Sequence, residues 1–368
     1  MPDTVYIIGA GASHGESLGR LSDLPAGLPE LHPHPPPLTK GFFDKRLLDA
    51  LSYGEAEQDF VDVIAYIRGA TLVNDAFGEG AWASLDLEEV LTSLEIEREF
   101  HNPESDEGAR LLLIRNKLTR YIRRILGFCT QHTYGENYRR LVQSLDFNDS
   151  VITFNWDLLI DQEFMVAYAS KLHYGNFFNT VAPDADSHLP SVIAGGLLLK
   201  LHGSLNWFRC GNHKCRASAS IKLLRDVQGC LSVTQGIGDV ICWQCGSAMN
   251  PVIIPPLLRK PITEDPLIRS AWGLARSRLL LASKVVVVGF SAAPTDFYTS
   301  WLLRSNVGTR EDVEVIVINP SNRESDSDHQ GFKKRMDSIF LRGYNSELHE
   351  FSQIGSVLGN PDGQAAAG

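Results

Sequence analysis

Apolar runs of strand length recur along the chain, and each ends in small or polar residues. Val5-Tyr6-Ile7-Ile8 leads into Gly9-Ala10-Gly11-Ala12-Ser13, Val151-Ile152-Thr153-Phe154 into Asn155-Trp156-Asp157, and Leu198-Leu199-Lys200-Leu201 into His202-Gly203-Ser204. Two later runs behave alike: Val285–Val288 precedes Gly289-Phe290-Ser291, and Val313–Ile318 precedes Asn319-Pro320. Unbroken apolar runs mark strands buried on both faces, as in a parallel sheet. A helix expected over Pro294–Asn306 joins the last two into a βαβ unit. In such an open sheet the carboxyl ends of the strands border one crevice, where nucleotides bind.

The pattern between the first two strands is helical. Phe42, Phe43, Leu47, Leu48 and Leu51 recur at helical spacing, as do Phe60, Val63, Ile64 and Ile67. Asp86-Leu87-Glu88-Glu89 opens a helix with acidic residues in its first turn, where they suit the helix dipole, and Arg110–Cys129 is a long basic amphipathic stretch. Residues 21–38 hold six prolines and read as an extended loop lying over a pocket or against another subunit. The expected fold is therefore α/β: a Rossmann-like parallel sheet with an inserted helical subdomain and a small zinc-ribbon-like module. Residues 1–39 supply the first strand, nucleotide turn and Pro-rich loop, and 40–145 the helical insertion. The sheet continues over 146–208, is interrupted by a cysteine-rich module over 209–247, and is completed over 248–358. The Gly/Ala-rich residues 359–368 read as a disordered tail.

Composition narrows the function. Thirty-four basic against 44 acidic residues give a net charge of −10, which argues against a nucleic-acid-coating surface, and the six Lys/Arg residues over Arg110–Arg124 read as a solvated helix face. No apolar run approaches the roughly 20 residues of a membrane-spanning helix. The first strand starts too close to Met1 for a cleaved signal, so the expected compartment is the cytoplasm. Six cysteines, partly clustered, fit a reducing compartment with a metal site better than a disulfide framework.

Each polar strand end has a chemical use and a structural alternative. Around Gly9, Ala10 and Gly11 a backbone free of bulky Cβ atoms can approach a diphosphate, with Ala12 and Ser13 completing the turn; a ligand-free tight turn is the alternative. Asn155 and Asp157 face the same side of an extended segment and can grip a carboxamide, a ribose hydroxyl or a water; both are also good helix caps. His202 has the side chain of a general base, or of a hydrogen-bonded structural histidine, with Gly203 leaving room for a substrate. Gly289 and Ser291 can meet a second ribose or a phosphate, and Asn319 ribose hydroxyls or adenine; alternatively Ser291 caps the next turn and Asn319 sits in an Asn-Pro turn. Cys210 and Cys215 (C-x4-C) with Cys242 and Cys245 (C-x2-C), 26 residues apart, suit a closed tetrahedral zinc site. Cys230 or His213 could replace one ligand, and Cys129 reads as a core thiol.

Taken in order, G-A-G-A-S, T-F-N-W-D, L-H-G-S before paired cysteines, V-G-F-S with a later aspartate, and I-N resemble the sirtuin family, and specifically its branch of bacterial NAD hydrolases. Pro36-Pro37-Leu38 with Phe42-Phe43, Leu87-Glu88-Glu89-Val90 and Ile253-Ile254-Pro255-Pro256 are similar to that branch as well. The resemblance, over residues 4–345, implies NAD as substrate and a structural zinc. It implies that Gly9 to Ser13 hold the diphosphate, and that Asn155 positions water and the nicotinamide ribose. Asp157 would contact the nicotinamide amide, His202 would serve as base, and Ser291 and Asn319 would hold the adenosine half. The G-I-P-D-F-R and V-x-F-G-E segments of the deacylases are missing, so the resemblance points to NAD hydrolysis, triggered in antiviral defence, with protein deacylation, ADP-ribosyl transfer or non-catalytic nucleotide sensing as alternatives. It further implies a homo-oligomer and a sensor or ATPase partner, with 40–145 as the contact surface.

Overall fold

The computed structural model describes residues 3–21, 35–44, 47, 56–70, 79–130, 135–167, 174, 196–212, 214–223, 240–254 and 265–358. His213, Cys230, most of the Pro-rich loop, Leu48, Leu51, Pro255-Pro256 and the 359–368 tail lie outside them.

Five strands form one parallel sheet: β1 (Thr4–Ile8), β2 (Ser150–Thr153), β3 (Leu197–Lys200), β7 (Lys284–Val288) and β8 (Glu314–Ile318), in the order β3-β2-β1-β7-β8. Their central residues are buried on both faces, which is what the unbroken apolar runs predict. The sheet is Rossmann-like. Helices α1 (Ala10–Leu21), α6 (Glu136–Ser144), α7 (Leu159–Ala167), α8 (Pro266–Leu281), α9 (Phe297–Asn306) and α10 (His329–Ile339) belong to it. α6 carries Tyr138, Leu141 and Val142 into the sheet's core, so that core begins on the N-terminal side of residue 146.

The remaining helices gather around a second core. These are α2 (Ala56–Gly69), α3 (Glu79–Ser84), α4 (Leu87–Phe100) and α5 (Asp106–Thr130), packed through Val63, Ile67, Val90, Leu94, Leu118 and Ile122. Asp86 caps α4, its carboxylate accepting from Glu88 N at 2.8 Å. The basic stretch on α5 is partly internal rather than a solvated face. Arg123 is buried over the Phe208 ring and donates to Leu205 O at 3.1 Å, Arg115 donates to Glu95 at 3.0 Å, and Lys117 pairs with Asp62. Burial, with Arg124 nearby, pulls the Arg123 guanidinium down to about 10.

β4 (Gly203–Cys210), β5 (Lys222–Leu223) and β6 (Met249–Ile253) make a small antiparallel sheet in the order β5-β4-β6. Leu205 of β4 and Ile253 of β6 enter the helical core, so this sheet ties the helical block to the strand end at His202. No helix among the described residues is long and apolar enough to cross a membrane.

Candidate functional site

The chain leaves β1 in one direction toward β2 and β3 and returns on its other side with β7 and β8, so a topological switch point lies between β1 and β7. There the ladder runs past the strand ends: Gly9 N donates to Val288 O and Gly11 N to Gly289 O, both at 2.9 Å. The expected five-residue turn contracts to Gly9, because α1 begins at Ala10 and brings the positive end of its dipole to the sheet's carboxyl edge. The glycines serve contact between two backbones. A Cβ on Gly9 would sit 2.6 Å from Gly289 O, and one on Gly289, whose φ is +60°, would sit 2.1 Å from Ala12 N.

Ser13, Asn155, Asp157 and Tyr138 form one buried network at the ends of β1 and β2. Ser13 Oγ donates to Asp157 Oδ2 at 2.8 Å, accepts from Asn155 Nδ2 at 3.0 Å and lies 2.8 Å from Tyr138 Oη. The Ser13 hydroxyl is thereby committed to protein groups. Asn155 Nδ2 also donates to Gly9 O at 3.0 Å, which fixes the amide's orientation. Asp157 realises the helix-cap alternative, Oδ1 accepting from Leu159 N at 3.0 Å. Burial pushes its carboxyl up, opposed by Lys200. Lys200 is fully buried below, donating to Asp157 O at 2.5 Å and to Asp161 Oδ2 at 2.8 Å, while Tyr174 donates to Asp161 Oδ1 at 2.5 Å. Asp157 thus braces Ser13 and Asn155 from beneath.

His202 stands at the neighbouring strand end, since Thr153 pairs with Lys200 in register. Its ring lies 5.2 Å from Phe154 and 6.3 Å from Trp272, centroid to centroid, and its carbonyl accepts from Trp156 Nε1 at 3.1 Å and Ile254 N at 2.9 Å. Gly203, at φ +79°, makes room for protein rather than substrate, because a Cβ there would meet Val252 O at 2.1 Å. His202 Nε2 lies 3.7 Å from Asp296 Oδ2, the later aspartate of the V-G-F-S motif, to which the sequence reading gives no role. The signal was weak: an aspartate ahead of an apolar helix reads as a cap, and Asp296 does cap α9, accepting from Thr299 N at 3.2 Å. A buried carboxylate this close to an imidazole can orient the ring.

On the far side of the switch point, Asn319 realises its turn-cap alternative. Its Oδ1 accepts from Ser321 N at 3.0 Å, while Nδ2 donates to Phe290 O at 3.3 Å. Ser291 is exposed at the crevice rim, its carbonyl accepting from Arg335 Nε at 3.0 Å. Next to it Ala292 is buried at φ +50°, a left-handed conformation that costs a residue with a Cβ about 1–3 kcal/mol and clusters at functional sites.

The four predicted cysteines converge. Their sulfurs all lie within 4.8 Å of one another, with Cys210–Cys245 at 3.5 Å and Cys215–Cys242 at 3.9 Å. Tetrahedral Zn–S bonds of about 2.3 Å place sulfurs about 3.8 Å apart, so the set fits zinc. Hydrogen bonds from Ser247 pull the Cys245 thiol down to about 6, whereas loss of hydration pushes Cys210 up to about 12. Metal analysis of the purified chain is expected to give about one zinc per chain, and Cys242→Ser to lose it together with several degrees of Tm. A metal-free chain with an unchanged Tm contradicts the assignment.

Fold and site together define a Rossmann-like α/β protein with polar groups gathered at its switch point and a four-cysteine module beside it. No family model and no curated protein matches the chain. Among solved structures it is similar to a Sir2 homologue–NAD complex, at 15% identity and a TM-score of 0.45, covering 96% of this chain and 87% of that one. It is also similar to Sir2Tm bound to a propionylated peptide (13% identity, TM-score 0.41, 96% and 91% covered) and to a mutant Sir2 homologue complexed with 2'-O-acetyl ADP ribose (13%, 0.41, 97% and 94%).

Proposed function

We propose that this protein hydrolyses NAD, breaking the bond between nicotinamide and ribose to give nicotinamide and ADP-ribose. The observation that carries the reading is the placement of an oriented amide, Asn155, and an imidazole, His202, on adjacent strand ends beside the switch point, with the α1 N-terminus across from them. The diphosphate would lie at the positive end of the α1 dipole. As the glycosidic bond lengthens, neutral nicotinamide carries away the bonding electron pair and positive charge develops on the sugar. Asn155 Oδ1 would hold the attacking water or a ribose hydroxyl against the anomeric carbon. His202 would take the proton that water loses, directly or through a ribose hydroxyl, with Asp296 stabilising the imidazolium.

Hydrolysis is preferred to deacylation because the strand-forming V-x-F-G-E segment is replaced. Pro251 stands in β6, an edge strand, and removes one main-chain donor from it. The sequence resemblance supports a setting of triggered NAD depletion in antiviral defence, in the cytoplasm, by a homo-oligomer with a sensor or ATPase partner bound at the helical block. Chromatography of NAD incubated with the purified chain, with and without an acetylated peptide, tests the chemistry. Nicotinamide release that ignores the peptide is the expected result. Release that depends on peptide means deacylation or ADP-ribosyl transfer, and tight binding without turnover means a sensor.

A further inference from the structure

One bond joins the helical block to the crevice and has no part in the chemistry above. Glu88, buried in the first turn of α4, accepts from the Thr295 hydroxyl. Thr295 immediately precedes Asp296, the carboxylate 3.7 Å from His202 Nε2. The segment from Gly289 to Asp296 contains two residues at positive φ, Gly289 and Ala292, so neighbours must hold its path. Asn319 and Arg335 hold its first half through Phe290 O and Ser291 O. Glu88 holds its second half at Thr295, beside the cap that Asp296 makes on α9.

The first turn of α4 is itself anchored. Asp86 accepts from Thr39 Oγ1 at 3.1 Å and Leu87 N donates to Thr39 O at 2.9 Å. Three residues earlier, Pro36 O lies 3.0 Å from His14 Nδ1 on α1. A continuous series of contacts therefore runs from α1 through residues 36–39 to α4, and from α4 to the loop that carries Asp296.

We propose that Glu88 is a positioning residue for His202: through Thr295 it sets where Asp296 stands, so that displacement of the helical block, by a partner or a second copy, is felt at the imidazole. For its effect on turnover this rests on the hydrolase reading; the tether itself rests on geometry alone.

In the full chain, Glu88→Ala and Thr295→Val are each expected to lower kcat for nicotinamide release about tenfold or more with KM for NAD within about twofold, and the double variant to be no slower than the slower single variant. Glu88→Gln, whose amide oxygen still accepts the hydroxyl, is expected to return kcat to within about threefold of wild type. Hydrogen exchange read by mass spectrometry reports the tether without turnover: exchange over 289–296 should quicken about tenfold in both single variants while β1 and β7 stay protected. Unchanged exchange over 289–296, or kcat losses that add in the double variant, overturns the proposal. A wild-type chain that releases no nicotinamide defeats the hydrolase reading instead, and the exchange data then decide the tether.

Discussion

Replacing His202 with alanine is expected to lower nicotinamide release by about 10²–10⁴-fold, the usual worth of a positioned general base. The fall should appear in kcat, because in the proposed reaction the imidazole acts on a proton that moves only as the bond to nicotinamide breaks. The far-UV circular dichroism spectrum should be unchanged, since the backbone at 202 is held by bonds from Trp156 Nε1 and Ile254 N that do not involve the ring. Asn155→Ala is expected to be as inactive but less stable. It removes two hydrogen bonds from a buried network whose other partners, Ala12 N on Gly9 O and Asp157 and Tyr138 on Ser13 Oγ, remain, and each lost bond is worth about 0.5–1.5 kcal/mol. Asp296→Asn should fall between wild type and His202→Ala, because the ring keeps a polar neighbour but loses the charge. Activity equal to wild type in both His202→Ala and Asn155→Ala sinks the site assignment.

The largest effect on stability is expected from Gly289→Ala. The new methyl would lie 2.1 Å from Ala12 N and 2.5 Å from the Gly11 carbonyl carbon, at a φ of +60°. Left-handed strain costs about 1–2 kcal/mol and overpacking a tight contact about 1–3 kcal/mol, so the sum is about 2–5 kcal/mol. At roughly 2–4 °C per kcal/mol, the Tm should fall by about 4–20 °C. The contact also parts β7 from the head of α1, so a residual folded fraction should bind NAD more weakly. A melting curve that overlays the wild type would show that β1 and β7 do not meet as described. Gly246→Ala is a fair control: its φ is also positive, but nothing lies within 4 Å of the added methyl.

Much of this was legible in the sequence, for a physical reason. Strands buried on both faces admit few polar residues, so the polar side chains just beyond β1, β2 and β3 stand out against apolar runs, and a parallel sheet brings such strand ends to one edge. The cysteine quartet was legible because tight metal knuckles need short, fixed spacings. The roles of individual groups were not. Asp157 and Asn319 could each be ligand or cap, and only coordinates show that both cap. Gly9 and Gly289 suggested room for a phosphate, whereas the atoms each glycine admits belong to the other's backbone, 280 residues away in sequence. Asp296 was visible as the aspartate after V-G-F-S, but its ordinary place at the start of a helix hid its closeness to His202. The Glu88–Thr295 bond joins two segments that nothing in their local pattern relates. Long-range pairing leaves no periodic trace.

The most direct measurement is a crystal structure of the His202→Ala chain soaked with NAD. The account predicts the diphosphate at the head of α1 and the nicotinamide ribose within hydrogen-bonding reach of Asn155 Oδ1, facing the space vacated by the imidazole. NAD bound elsewhere, or a crevice closed by apolar side chains between Asn155 and residue 202, contradicts it.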